Sequence, residues 1–169
     1  MINTSFLTAS PLFQNLEEGE RAQILIIGQV RSYKDGDVVF KEGDQGNGLF
    51  VVVRGAVRIS KQSPTGEEAL AVLEPPAFFG EMALIDNSPR AADAIANGPT
   101  ELFFVPLKEL RILIETHHQL ALKILFALAE VLAQRLRETN ERYMSIFTIA
   151  SWGGTGGSNP HPDSLPPLP

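Results

Sequence analysis

Apolar and polar positions along the 169 residues fall into three regions of different period. In "SPLFQNLEEGERAQILII", Leu12, Phe13, Leu16, Ile24, Leu25 and Ile27 recur at helical spacing. Ser10 stands where an N-cap would and Pro11 at a first helical position, so short N-terminal helices are expected over 10–29. From Val30 to about Pro106 the apolar runs shorten to "DVVF", "LFVVV", "AVRIS", "ALAVL", "AADAIA" and "TELFFVP". Between them lie "GDQGNG", "RG", "PTGEE" and "NGP". Seven or so short strands with Gly and Pro punctuation predict a closed or rolled antiparallel sheet. Gly36, Gly43, Gly46, Gly48, Gly55 and Gly66 each stand where a tight turn could demand positive φ, and most of them need only turn the chain.

Helical spacing returns at Leu107. A short helix carries Leu110, Leu113 and Ile114, and a longer one runs from about Gln119 to the region of Ile146. On the longer helix Leu125, Leu128 and Leu132 recur at three and four residues, and the spacing continues to Arg135, Thr139 and Arg142. A stripe of that length predicts a partner helix and a homodimer, with a helix lying wholly on its own sheet as the alternative. Periodicity ends near Trp152, and 151–169 reads as a flexible Gly/Pro-rich tail. Its "PPLP" end has the form of a proline-helix docking motif, although loose proline-rich tails are commoner. The fold class expected is mainly β with flanking helices (α+β). It is a jelly-roll-like antiparallel β-roll over 30–106, C-terminal helices over 107–148, and one domain over 1–150.

Composition narrows the classes. A hydrophobic fraction of 44% fits one globular domain with a real core. The net charge of −6 argues against a surface built to neutralise phosphates, so no nucleic-acid partner is expected. The absence of cysteine excludes disulfides and thiolate metal sites. "MINTSFLTAS" lacks the pattern of a secretory signal, and no apolar run suits a bilayer, so a cytoplasmic protein without a membrane partner is expected. With histidine only at 117, 118 and 161, no base–nucleophile set forms, and neither enzyme activity, cofactor nor metal is expected. His117 and His118 read as surface or capping residues at a helix junction.

One stretch carries chemistry. "FFGEMALIDNSPRAADAIA", 78–96, is almost wholly apolar or small, yet it holds Glu81 after Gly80 and Arg90 after Pro89. Gly80 allows a tight turn into a short helix whose free amides favour an anion. The planar fork of Arg90 suits two phosphate oxygens. Glu81 would repel a phosphate and is useful against a hydroxyl, such as that of a ribose. These parts, with apolar walls for a base, describe a nucleotide pocket. A mutual Glu81–Arg90 salt bridge closing a loop is the alternative on spacing alone.

"FGEMAL" followed by "PRAA" resembles the phosphate-binding cassette of cyclic nucleotide-binding domains, above all the form in regulatory subunits of cAMP-dependent protein kinase. "GDVVFKEGDQGNGLFVVVRGAVRIS" looks like the first half of that family's β-roll. "SPLFQNLEEGERAQIL" is similar to the N-terminal helices of the catabolite activator protein superfamily, and the resemblance spans about 10–145. It implies that Glu81 accepts a hydrogen bond from the ribose 2′-hydroxyl and that Arg90 pairs with the cyclic phosphate. Amides around Gly80, Met82, Ala83, Ala91 and Ala92 would complete the anion cradle, and Ile59 and Leu70 would wall the base or sugar. Ala91 stands where cGMP-selective relatives often have threonine, so the implied ligand is cAMP, without exclusion of cGMP. "AQRLRETN" resembles the stretch of the catabolite activator protein helix that meets adenine, which would put Thr139 and Asn140 at the purine with Arg135 nearby. Ordinary polar positions of a dimer seam are the alternative for these residues. "PPA", 75–77, departs from the family's Gly–acid pair before the cassette.

Bacterial members of the family mostly carry a helix-turn-helix after the long helix, and only the Gly/Pro-rich tail follows Ser151 here, so DNA binding is not expected. The implied function is a stand-alone cyclic-nucleotide sensor that moves its C-terminal helix and so acts on a dimer or an unidentified protein partner. A dimerising scaffold with a lost or different anionic ligand is the alternative, as is the effector domain of a shortened transcription regulator.

Overall fold

The computed structural model describes residues 5–153. The chain divides into two compact units, one ending at Val131 and the other beginning at Leu132. Helix α1 (Ser5–Ala9) is followed by α2 (Glu18–Ile27). Ser10 does not cap a new helix, as its position suggested, but closes α1, its amide donating to the Phe6 carbonyl. Pro11 then stops the helix because it has no amide to donate, and 11–16 continue as turns. The apolar positions read there still reach the core: Leu12, Phe13, Leu16 and Ile24 are all buried.

Eight strands follow among the described residues: β1 (Gln29–Tyr33), β2 (Val38–Phe40), β3 (Gly48–Arg54), β4 (Val57–Ser63), β5 (Gly66–Leu73), β6 (Phe78–Phe79), β7 (Asp93–Ala96) and β8 (Thr100–Pro106). They form two four-stranded sheets, in the orders β1-β8-β3-β6 and β2-β7-β4-β5. Every pairing is antiparallel. The β-roll expected from the glycine-punctuated runs is therefore present. β1, "QVRSY", was not among the predicted runs because it is a polar edge strand with little alternation. β6 has only two residues, too few to read by period.

The two sheets differ in burial, and their sequences differ accordingly. Phe50, Val52, Phe79, Leu102 and Phe104 of the first sheet meet Val57 and Ala94 of the second in one cluster between the layers. The alternate residues Leu49, Val51, Phe103 and Val105 are equally buried, and the Phe6 ring packs 5.0 Å from that of Phe103. A strand covered on both faces must be apolar at every position, which is why β3 and β8 read as unbroken runs. In β5, by contrast, most residues are exposed.

Helix α4 (Leu107–Thr116) buries Leu107, Leu110 and Leu113. His117, at φ −128° and ψ 82°, separates it from α5 (His118–Gly153). Within the first unit α5 buries Leu120, Ile124, Ala127 and Leu128 and exposes Leu122, Leu125 and Phe126. This splits the predicted seam: Leu128 is 1% exposed and belongs to the chain's own core. In the second unit Leu136, Tyr143, Met144, Ile146 and Phe147 are exposed. Leu122, Leu125, Ala129, Leu132, Leu136, Thr139, Tyr143 and Ile146 follow one another at alternating steps of three and four. Lys123 of α5 pairs with Glu17 at 3.1 Å and with Glu20 of α2 at 2.8 Å. The helix continues through Trp152, where a tail was expected to have begun, and the remainder of that tail lies outside the described residues. Among the described residues no helix is long and apolar enough to cross a membrane.

Candidate cyclic nucleotide site

The site is assembled by the segment after β6. Gly80 has φ +78°, in the left-handed region, and a Cβ there would lie 2.6 Å from Arg90 Nη1. Only glycine allows both the turn and that approach. Glu81 follows at the N-cap of α3 (Met82–Ile85) and is 3% exposed. The chain then turns through Asp86–Ser88, where Asn87 takes φ 57° and the Asp86 carboxylate accepts the Ser88 amide at 3.0 Å. Beyond this turn the chain reaches Arg90.

Arg90 is 6% exposed, and its partners are backbone. Nη1 donates to the Gly80 carbonyl at 2.9 Å and Nη2 to the Gly48 carbonyl at 2.7 Å. The guanidinium carbon sits 4.1 Å above the centre of the Phe40 ring, a cation–π contact. Nε is buried without a hydrogen-bond partner. Burial lowers the pKa of Arg90, while the charges of Glu81 and Asp44 act in the opposite sense. Two neutral carbonyls orient the guanidinium, and the charges of Glu81 and Asp44 stabilise it. A buried cation with a spare donor is the arrangement an anionic ligand completes.

The loop between β2 and β3 forms the other side. Gly43 N donates to Arg90 O and Arg90 N to Asp44 O, both at 2.8 Å. The Asp44 carboxylate in turn accepts the Lys41 amide at 2.8 Å. A Cβ on Gly46 would lie 2.3 Å from that of Ala83, so this glycine lets α3 rest against the loop. Gly46 and Gly48 therefore do more than turn the chain: one admits α3, and the other lends a carbonyl to Arg90. Phe40, Asp44, Gly46 and Gly48 were missed as site residues. The glycine density of "KEGDQGNG", above what a single turn requires, was the available signal.

The structure brings Gly80, Glu81, Ala83 and Arg90 together. Met82 is half exposed, Ala91 exposed and Ala92 intermediate. Ile59, on β4, packs partly buried against the inter-sheet cluster. Leu70 stands at the β4–β5 irregularity, where Ile59 pairs with Ala71 and Ser60 with Ala69, and nearly half of it is exposed. Thr139 and Asn140 are exposed residues of the second unit, and the Thr139 hydroxyl donates to the Arg135 carbonyl at 2.8 Å.

Two antiparallel four-stranded sheets carrying a glycine-led acid and a buried arginine, with flanking helices, define a β-roll domain. The family model described as "Cyclic nucleotide-binding domain" matches residues 30–117, and the chain belongs to that family. It is 32% identical over 148 residues to the cAMP-dependent protein kinase regulatory subunit of Mycosarcoma maydis, covering 86% of this chain and 27% of that protein. It is 38% identical over 135 residues to the Cyclic AMP receptor protein of Thermus thermophilus, covering 79% of this chain and 61% of that one. The crystal structure of Thermus thermophilus Catabolite Activator Protein superposes with a TM-score of 0.70 at 36% identity, over 81% of this chain and 63% of that one. The chain thus spans between about a quarter and three-fifths of the length of these two curated relatives.

Proposed function

We propose that the chain is a cyclic-nucleotide sensor whose ligand is cAMP. The observation that carries this reading is Arg90: buried, oriented by the carbonyls of Gly80 and Gly48, and with Nε unpartnered, inside a cassette whose family binds cyclic nucleotides. In the bound state Arg90 pairs with the cyclic phosphate and Glu81 accepts the ribose 2′-hydroxyl. The amides around Gly80, Met82, Ala83, Ala91 and Ala92 cradle the remaining phosphate oxygens. Ile59 and Leu70 contact the base or sugar, and Thr139 and Asn140 meet the purine edge. Ala91 offers no hydroxyl to a guanine amino group, which favours cAMP over cGMP. The relatives at 32% and 38% identity are both named for cAMP.

The signal leaves through α5. Ligand binding shifts the equilibrium between two positions of this helix, and the shift is limited by the difference in ligand affinity for the two. The exposed apolar residues of α5 form a homodimer seam, and the dimer acts in the cytoplasm.

Arg90→Leu tests the site. The substitution weakens cAMP binding by roughly 2–5 kcal/mol, the cost of removing one partner from a buried charge pair. Calorimetry on parent and variant measures it, and equal affinities would sink the assignment of Arg90. If the parent binds neither cAMP nor cGMP at millimolar concentration, the chain is a dimerising scaffold instead.

A further inference from the structure

Arg111 stands outside the proposed ligand contacts, on α4, yet it holds the cassette from behind. Its Nη2 donates to the Ala83 carbonyl at 3.0 Å and, at 3.4 Å, reaches Asn87 Oδ1. Both acceptors lie in the ten-residue segment that begins at Glu81 and ends at Arg90. α3 has only four residues, so its last carbonyls have no helical donor and depend on outside partners. The Met82 carbonyl is met by the Asp86 amide, and the Ala83 carbonyl by Arg111. A cation at that end also complements the helix dipole. Asn87, with φ 57°, is the non-glycine residue whose backbone is left-handed among the described residues, and it forms the turn that returns the chain to Arg90. One guanidinium therefore ties α4 both to the helix behind Glu81 and to the turn ahead of Arg90.

We infer that Arg111 is a positioning residue: it sets the spacing of Glu81 and Arg90 and links that spacing to α4, which His117 joins to α5. The inference deepens the cyclic-nucleotide reading and rests on it for the ligand arms of its test. A residue acting in this way affects the 2′-hydroxyl contact more than overall stability does. Arg111→Ala is expected to weaken cAMP binding by about tenfold, the scale of a lost charge-assisted hydrogen bond. It should also reduce severalfold the preference of the protein for cAMP over 2′-deoxy-cAMP. Arg111→Lys, which can still reach one carbonyl, should recover part of that preference. In the ligand-free protein, Arg111→Ala should speed amide hydrogen exchange across 82–89 while leaving β3 and β8 unchanged.

The outcomes separate. Equal losses for both ligands, with the preference intact, would make Arg111 a structural residue and overturn the inference. Unchanged exchange across 82–89 would overturn it without reference to any ligand. Failure of the parent to bind either nucleotide would refute the proposed function, and the exchange measurement would still decide the role of Arg111.

Discussion

At the scale of single residues, the site is built from a side chain held by backbone. Arg90 is gripped by carbonyls at positions 48 and 80, and every residue type offers a carbonyl. What matters at those two positions is the path of the chain, which glycine permits. Gly80→Ala would put a Cβ 2.6 Å from Nη1 and force alanine into a left-handed φ of 78°. The strain costs about 1–3 kcal/mol, so the variant should melt earlier and bind cAMP more weakly. A variant with the parent's melting temperature and affinity would show that the turn relaxes freely. The same physics sets what the sequence disclosed. Glu81 and Arg90 were legible because two charges stood out in an apolar run. Phe40 and Gly48 were not, because a cation–π face and a carbonyl supplied from 42 residues away leave no local mark. Arg111 was hidden for the same reason, since its nearer partner is the backbone of Ala83 and its other is an asparagine 24 residues away.

At the scale of elements, α2 and α5 are joined by the Lys123 pairs with Glu17 and Glu20. Partial burial works upward on the Glu20 pKa. The hydrogen bonds from Lys123 and the Glu17 amide, with the charges of Lys123 and Arg21, bring it below the ordinary 4.5. Lys123 is raised, chiefly by its bond to Glu20. A carboxylate lowered in the folded state adds stability above its unfolded pKa and loses it as pH falls through the folded value. The raised lysine adds stability below 10.5 and loses it as pH rises through its folded pKa. Lys123→Ala should therefore lower the melting temperature slightly at neutral pH, as expected for ion pairs near the surface. The deficit should close as pH drops below 4.5. A deficit that persists in acid would assign the effect to packing of the lysine stem.

Elements were read best where burial imposes a period. The unbroken runs of β3 and β8 and the stripe of α4 were plain, because each is fixed by what covers it. The polar edge strand β1 and the turns after Pro11 obey local hydrogen bonding instead, and the periodic signal is silent there.

At the scale of the whole molecule, the proposed homodimer draws on the exposed leucines of α5. Leu128 faces its own core, so the proposed seam draws on exposed residues such as Leu125 and Leu136 rather than on Leu128. Leu136→Glu should convert a dimer to a monomer in sedimentation velocity without lowering the melting of the β-roll. A parent that sediments as a monomer would reject the seam.

On the proposed assignment, the backbone-held guanidinium also governs how a ligand arrives. A chain of net charge −6 repels an anion at distance, and the charges of Glu81 and Asp44 offset that of Arg90. Arrival at such a site is unsteered, and attraction begins only once the phosphate has shed water within reach of Arg90. Discrimination among small anions then lies in how long each stays, not in how often each comes.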